Sequence, residues 1–361
     1  MSRAINFGAG PAMLPEELLK EIQQELLDWQ GLGMSILEIG HRTAAFTQLL
    51  EQTEQLFRTL LNIPADYHVL FLGGATRAQF GMIPLNFLSA QQQAGYVVTG
   101  IWSAMALKEA QRLKKAYCLA SSETSGFTTI PSNDELQYKD NTAYLYYTPN
   151  ETVNGVRYFP VLNRSVPIIA DMTSCLLTEP VNIADFDMIF AGAQKIIANA
   201  GLTIVIVSNK LLNSSDTAVL PTMSDYRIHA ANHSLYATPP TFNCYVACKM
   251  LQWIEKQGGV AAVYQQNRIK SARLYQYIDS SSAYECKIAP QARSLVNVCF
   301  NLASPELESL FAEEAAENNL LALKGHRMVG GLRVSLYNSM PISAVDRLIN
   351  FMDDFARKHR L

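Results

Sequence analysis

The sequence predicts an α/β fold, with a mostly parallel central sheet covered by helices on both faces and a smaller α+β domain at the C-terminal end. Three observations carry this. Apolar runs of five or six residues lack strict alternation, as suits strands buried on both faces. They alternate with helical stretches, the arrangement parallel strands need for their crossovers. After Gly258-Gly259 the runs become fewer and lie among longer helices. A length of 361 residues suits about two domains. We expect a large domain over 16–258 and a small one over 259–361, with the segment 1–15 packing on the small domain or the active site.

The elements follow in order. Past Pro15, Leu18, Leu19, Ile22, Leu26 and Leu27 recur at the period of an amphipathic helix. Strands are expected at 68–72, 95–99, 143–147, 166–170, 186–190 and 202–207. Between the first two, the helical stretch 77–88 contains Pro84, where a kink or break is expected. Residues 242–253 read as a helix. The second part opens with a long helix, 261–278, then a run at 294–300, a helix over 305–319 and a run at 331–336. A final helix carries Val345, Leu348, Phe351, Met352 and Phe355 on one side, with Ser343-Ala-Val-Asp346 as its expected cap.

Composition narrows the function classes. Hydrophobic residues make up 49% and charged residues 17%, below the roughly 25% of an average soluble protein, which points to a large core or a buried subunit interface. A net charge of −3 gives no basic field for nucleic acid or an anionic membrane. No apolar run approaches the ~20 residues of a membrane-spanning helix, and the first residues lack the apolar core of a signal peptide, so a cytoplasmic protein is expected. Six cysteines in this length suggest buried thiols rather than a disulfide framework. The pairs Cys244/Cys248 and His229/His233 have helical spacing but no partner ligands, and no metal site is expected.

Chemistry concentrates where apolar runs end. Lys195, in Ala191-Gly-Ala-Gln-Lys195, lies between two core strands, a rare place for a strongly hydrated side chain. Asp171 closes the run at 166–170. A lysine that forms a Schiff base and an aspartate on a pyridinium nitrogen are what pyridoxal phosphate requires; a buried Lys–Asp ion pair is the alternative reading. Gly73-Gly-Ala-Thr-Arg77 follows a strand and opens a helix, so backbone N–H groups, the helix dipole and the Thr76 hydroxyl can cradle a phosphate; a plain strand-to-helix turn has the same letters. Gly-x-Gly-x-x-Gly is absent, which argues against a nicotinamide cofactor. Trp102, just past a strand, can stack on a pyridine ring or sit in the core. Thr152, in Pro149-Asn-Glu-Thr152, can bond a cofactor phenolate or Asp171, or belong to an ordinary turn. The triplets Gly40-His41-Arg42 and Gly325-His326-Arg327, with Arg333 in an apolar strand, favour anion recognition over surface ion pairing.

Together these motifs resemble the phosphoserine aminotransferase family of fold-type I pyridoxal-phosphate enzymes (class V). The likeness runs along the whole chain, from Asn6-Phe-Gly-Ala-Gly-Pro-Ala-Met-Leu-Pro15 through Gly40-His-Arg42, Pro149-Asn-Glu-Thr152 and Ala191-Gly-Ala-Gln-Lys195. It continues through Ala237-Thr-Pro-Pro-Thr241 to Lys324-Gly-His-Arg327 and Gly330-Gly-Leu-Arg333. The resemblance implies a homodimer that binds pyridoxal 5'-phosphate and exchanges the amino group of glutamate with 3-phosphooxypyruvate in serine biosynthesis. Some bacterial members also act on 3-hydroxy-2-oxo-4-phosphooxybutanoate in pyridoxine biosynthesis, and no residue here decides that. It implies Lys195 as the Schiff-base lysine with Gln194 beside it, Asp171 on the pyridinium, Trp102 on the ring and Thr152 on the phenolate side. Thr76 and Arg77 would hold the cofactor phosphate, with Thr238 reaching it from the neighbouring subunit. His41, Arg42, His326 and Arg327 would recognise the substrate phosphate, Arg42 also serving glutamate, and Arg333 the α-carboxylate.

The chain departs from that pattern at three places. Gly8 or Ala9 stands where many relatives have serine, so a hydroxyl contact to substrate is missing, for which backbone N–H groups can substitute. Ala75-Thr76 replaces two glycines of the phosphate turn, and Ala237 an asparagine. A charge-assisted hydrogen bond contributes about 1.5–3 kcal/mol, so these changes should tune affinity. The alternatives are another class V enzyme, such as an alanine–glyoxylate aminotransferase, and a silent pyridoxal-phosphate-binding protein. The first gives no reason for two His-Arg pairs; the second gives none for Lys195, Asp171 and Arg333 together.

Overall fold

A computed structural model describes residues 3–162, 164–214 and 219–361. Seven strands form one sheet, in the spatial order Tyr67–Gly73, Leu202–Ser208, Met188–Gly192, Ile168–Asp171, Thr142–Tyr147, Gln93–Val98, Ala116–Ser121. Only Leu202–Ser208 runs antiparallel to its neighbours, so the sheet is mostly parallel, as expected. Its central strands are buried along their whole length, which is why they read as unbroken apolar runs. The strand expected at 166 starts at Ile168, because Pro167 has no N–H to give a ladder.

Several details differ from expectation. Ala116–Ser121 is an edge strand, half exposed and poor in branched residues, and its short apolar pattern gives no sequence signal. Pro84 lies inside the helix Gln79–Phe87, and no break falls there. The irregular join is earlier, where a 3-10 turn at Thr76–Ala78 runs into that helix. Ser343 is not the cap of the last helix. That helix spans Ile342–His359, with Pro341 at its N-cap making no side-chain hydrogen bond, because Pro341 (φ −75°, ψ 154°) fixes an extended residue one step before Ile342.

Two large apolar clusters lie on the two faces of the sheet. A third gathers Phe7, Leu274, Val298, Leu332, Leu348 and Phe355 around the antiparallel pair Asn297–Phe300 and Leu332–Ser335. The helix Gly259–Ser280 belongs to two of them: Val260 and Val263 pack with the sheet, whereas Leu274 and Ile278 pack with the C-terminal elements. Near the N-terminus, Ile5–Asn6 pairs in parallel with Leu320–Leu321, and Ala12 N–H donates to Gln194 O at 2.9 Å. The first segment thus bridges the C-terminal elements and the lysine loop.

Candidate active site

Parallel strands end their C-terminal edges together, so the loops that follow them converge. Here the loops after Gly73, Val98, Tyr147, Asp171 and Gly192 enclose a cavity of about 480 Å³. Its wall includes Thr76, Arg77, Trp102, Thr152, Asp171, Gln194 and Lys195, seven residues singled out in the sequence. Gly192 makes this possible at one corner, since a side chain there would collide with the Thr76 hydroxyl and the Gln194 amide.

Lys195 Nζ donates to Thr152 Oγ1 at 2.5 Å and stands 6.0 Å from the centre of the Trp102 ring. Burial brings its ammonium down from 10.5 to about 8; the Asp171 carboxylate opposes the shift and the Arg333 charge adds to it. Asp171 is buried, with Oδ1 accepting the Thr173 N–H at 3.0 Å. Burial raises its carboxyl above the ordinary 3.8, against the hydrogen bonds from Thr173 and the charge of Lys195. Trp102 lies in the first turn of the helix Ile101–Leu113, with the Arg77 guanidinium 5.2 Å from its ring centre.

Glu151 has only the letters of a turn residue in the sequence. It is fully buried and caps the Trp102 helix, accepting from Trp102 N–H (3.0 Å), Ser103 N–H (2.8 Å) and Ser103 Oγ (2.6 Å). Burial pushes its carboxyl up to about 7. The only hint available was an acidic residue beside Thr152 after a core strand. Thr148, Asn150, Thr173 and Ser174 also line the cavity without having been singled out.

The remaining expected residues are distributed differently. Arg333 lies on the strand Leu332–Ser335, close enough for its charge to act on Lys195. The Ala9 carbonyl accepts from Tyr337 OH at 3.1 Å, and next to it Gly10 leaves room for the Lys195 stem, which a side chain at 10 would approach to 3.4 Å. His41, Arg42, Thr238, His326 and Arg327 do not line the cavity of the single chain. Arg42, Thr238 and Arg327 are exposed, and His41 keeps Nε2 buried without a partner. His326 accepts the Met328 N–H at Nδ1 (3.3 Å); partial burial and the charges of Arg333 and Arg327 lower its pKa.

Comparison with known proteins gives the same reading along the whole chain. The aminotransferase class-V family model matches residues 4–348. A phosphoserine aminotransferase of Legionella pneumophila is 58% identical over 360 residues, covering 99% of both chains. The solved structure of the phosphoserine aminotransferase from Bacillus circulans subsp. alkalophilus superposes with a TM-score of 0.96 at 43% identity, over 99% of each chain. The phosphoserine aminotransferase of Trichomonas vaginalis, solved with its PLP bound, gives a TM-score of 0.93 at 34% identity, over 97% of this chain and all of that one.

Proposed function

The chain belongs to the aminotransferase class-V family, on its phosphoserine aminotransferase branch, and from that premise we propose how its residues divide the work. The reaction moves an amino group between glutamate and 3-phosphooxypyruvate, giving O-phospho-L-serine and 2-oxoglutarate, with pyridoxal phosphate as cofactor. The residues of the cavity fit that group. Trp102 would hold the flat ring, Asp171 the ring nitrogen, Lys195, with its lowered pKa, the aldehyde, and the turn at Thr76 and Arg77 the phosphate. Two buried polar atoms without partners, Trp102 Nε1 and Thr148 Oγ1, leave hydrogen-bonding capacity in the same wall.

When bound, pyridoxal phosphate supplies the carbonyl that takes the amino group and the protonated ring that draws off the electron pair released at the substrate Cα. Asp171 would hold the proton on the ring nitrogen. Lys195 would carry the proton to and from the substrate Cα, and a pKa lowered to about 8 suits it to both directions of transfer. Thr152 keeps the amine aimed by its hydrogen bond, and Gln194 borders the cofactor beside it. Arg333 binds the α-carboxylate, and the Ala9 segment closes over it. The single observation that carries this reading is Lys195, a half-buried amine bonded to Thr152 in one cavity with Asp171 and an indole. An assay with glutamate as donor and the two phosphorylated oxo acids as acceptors tests it. No turnover of 3-phosphooxypyruvate would overturn it, and turnover of 3-hydroxy-2-oxo-4-phosphooxybutanoate would extend it.

The lysine makes a quantitative expectation. A fall from 10.5 to about 8 leaves roughly 300 times more neutral amine at pH 7 than an ordinary lysine has. Covalent capture of pyridoxal phosphate by the apoprotein, followed by absorbance, should therefore speed up with pH and level off above about 8. A rate still rising steadily through pH 10 would mean an unperturbed amine.

We further propose a homodimer with shared active sites. Thr238, Arg42 and Arg327 are exposed, and large apolar side chains near them in sequence (Leu32, Met34, Leu37, Tyr236, Met328 and Val329) are exposed too. A second copy covering these surfaces would bring Thr238 to the cofactor phosphate and complete the His41, Arg42, His326 and Arg327 set; sedimentation equilibrium tests it. Arg42→Ala or Arg327→Ala should then raise KM for 3-phosphooxypyruvate about 10- to 100-fold, the loss of a charge-assisted bond, while cofactor absorbance holds. Equal loss of both would make these arginines structural. The division into 16–258 and 259–361, with 1–15 bridging, belongs to the same proposal and is supported by the separate apolar clusters that Gly259–Ser280 joins. A cytoplasmic location is supported by six unpaired cysteines. Cell fractionation tests it.

A further inference from the structure

A buried polar network runs from the cavity wall to the strand that carries Arg333. Asn150, which lines the cavity, donates from Nδ2 to Ser174 Oγ (2.8 Å) and Asn297 Oδ1 (2.8 Å), and its Oδ1 accepts from Ser294 Oγ (2.5 Å). Asn297 donates from Nδ2 to Ser335 Oγ (3.1 Å) and Tyr337 OH (3.2 Å), and Tyr337 OH donates to the Ala9 carbonyl (3.1 Å). Asn297 is fully buried, and these bonds engage both its donor hydrogens and its acceptor.

The sheet register gives the network a direction. Asn297 pairs with Ser335 and Cys299 with Arg333. Side chains two apart on a strand share a face, so Arg333 projects to the same side as Ser335, the side Asn297 bonds. That side is the cavity side: the Arg333 charge acts on Lys195, and Cys299 Sγ reaches the Val153 carbonyl at 3.5 Å. Within the apolar run 294–300, a valine would serve packing, whereas a buried amide is unfavourable unless every polar atom is bonded. Asn150 precedes Thr152 by two residues, so the far end of the network is anchored next to the partner of Lys195.

We propose that Asn297 is a positioning residue that sets the entry of Arg333 into the cavity, holding the site for the substrate α-carboxylate in register with Lys195 and Thr152. This rests on Arg333 binding that carboxylate, as read above. In the holoenzyme, Asn297→Ala should raise the half-saturating glutamate concentration of the half-reaction, followed by absorbance, about tenfold. The limiting rate should change by less than about threefold, and the dissociation constant for pyridoxal phosphate should hold. In an Arg333→Ala background the same change should add nothing further. An unchanged glutamate dependence, a parallel loss of cofactor affinity, or an additive effect on top of Arg333→Ala would each overturn the proposal. Ser335→Ala removes one bond of the network and keeps the test open if Asn297→Ala does not fold: a rise of about two- to fivefold in the same constant is expected, and no rise overturns it. A wild-type enzyme without a glutamate half-reaction would instead refute the transaminase reading itself.

Discussion

Lys195→Ala is expected to abolish transamination, lowering kcat by at least about 10⁴-fold, since one residue serves as both nucleophile and proton carrier and general acid–base transfer alone contributes up to about 10⁴. The absorbance of the lysine-bound cofactor should vanish at the same time. Binding of pyridoxal phosphate should not vanish, because Thr76, Arg77, Trp102 and Asp171 line the same cavity independently of the lysine. The variant should therefore take up close to one cofactor per chain by calorimetry while showing the spectrum of the free aldehyde. Retained turnover would end the assignment. Loss of cofactor binding together with a lowered melting temperature of the apoprotein would point instead to a structural lysine. The latter is not expected: burial holds the Lys195 pKa down near 8, so its charged form is disfavoured in the folded apoprotein.

What the sequence made legible was the sheet edge. Thr76, Trp102, Thr152, Asp171 and Lys195 each stand just after or at the end of an apolar run, and parallel strands bring such positions together whatever their separation along the chain. Features that depend on tertiary neighbours were not legible. Glu151 has the letters of a turn residue, and only the approach of the Trp102 helix gives its carboxylate three donors. Asn297 is one polar residue in an apolar run, and its partners lie 147 residues away at Asn150 and 38 to 40 away at Ser335 and Tyr337. The helix Ala44–Leu61 carries its signal in the sequence: Thr43 caps it through Phe46 N–H, and Phe46, Leu49, Leu50, Thr53, Leu56, Phe57 and Leu61 mark one buried face. The His-Arg triplets are the opposite case. Their letters stand out in the sequence, yet the single chain does not bring them to the cavity.

Asp171→Asn separates what the carboxylate does for folding from what it does for the reaction. In the chain without cofactor, burial raises the pKa of Asp171 above 3.8. The folded state therefore binds this proton more tightly than the unfolded state. The stability contributed by the protonated form is fully present below the unfolded value and is lost as pH rises through the folded one. When ionised, the group is an unfavourable buried charge, offset in part by Lys195 and the Thr173 hydrogen bonds. A neutral, isosteric asparagine removes that burden, so the apoprotein of the variant should melt at the same temperature as wild type or higher at pH 7. The holoenzyme should behave in the opposite way. Without an anion opposite the ring nitrogen, a buried pair whose disruption costs about 3–5 kcal/mol is broken, and kcat should fall roughly 10²- to 10³-fold. The stabilisation that saturating cofactor confers on melting should shrink as well. Melting of apo and reconstituted forms beside steady-state kinetics checks both halves. If the apoprotein of the variant were destabilised as much as its holoenzyme, Asp171 would be a structural carboxylate, and the ring nitrogen would need another partner.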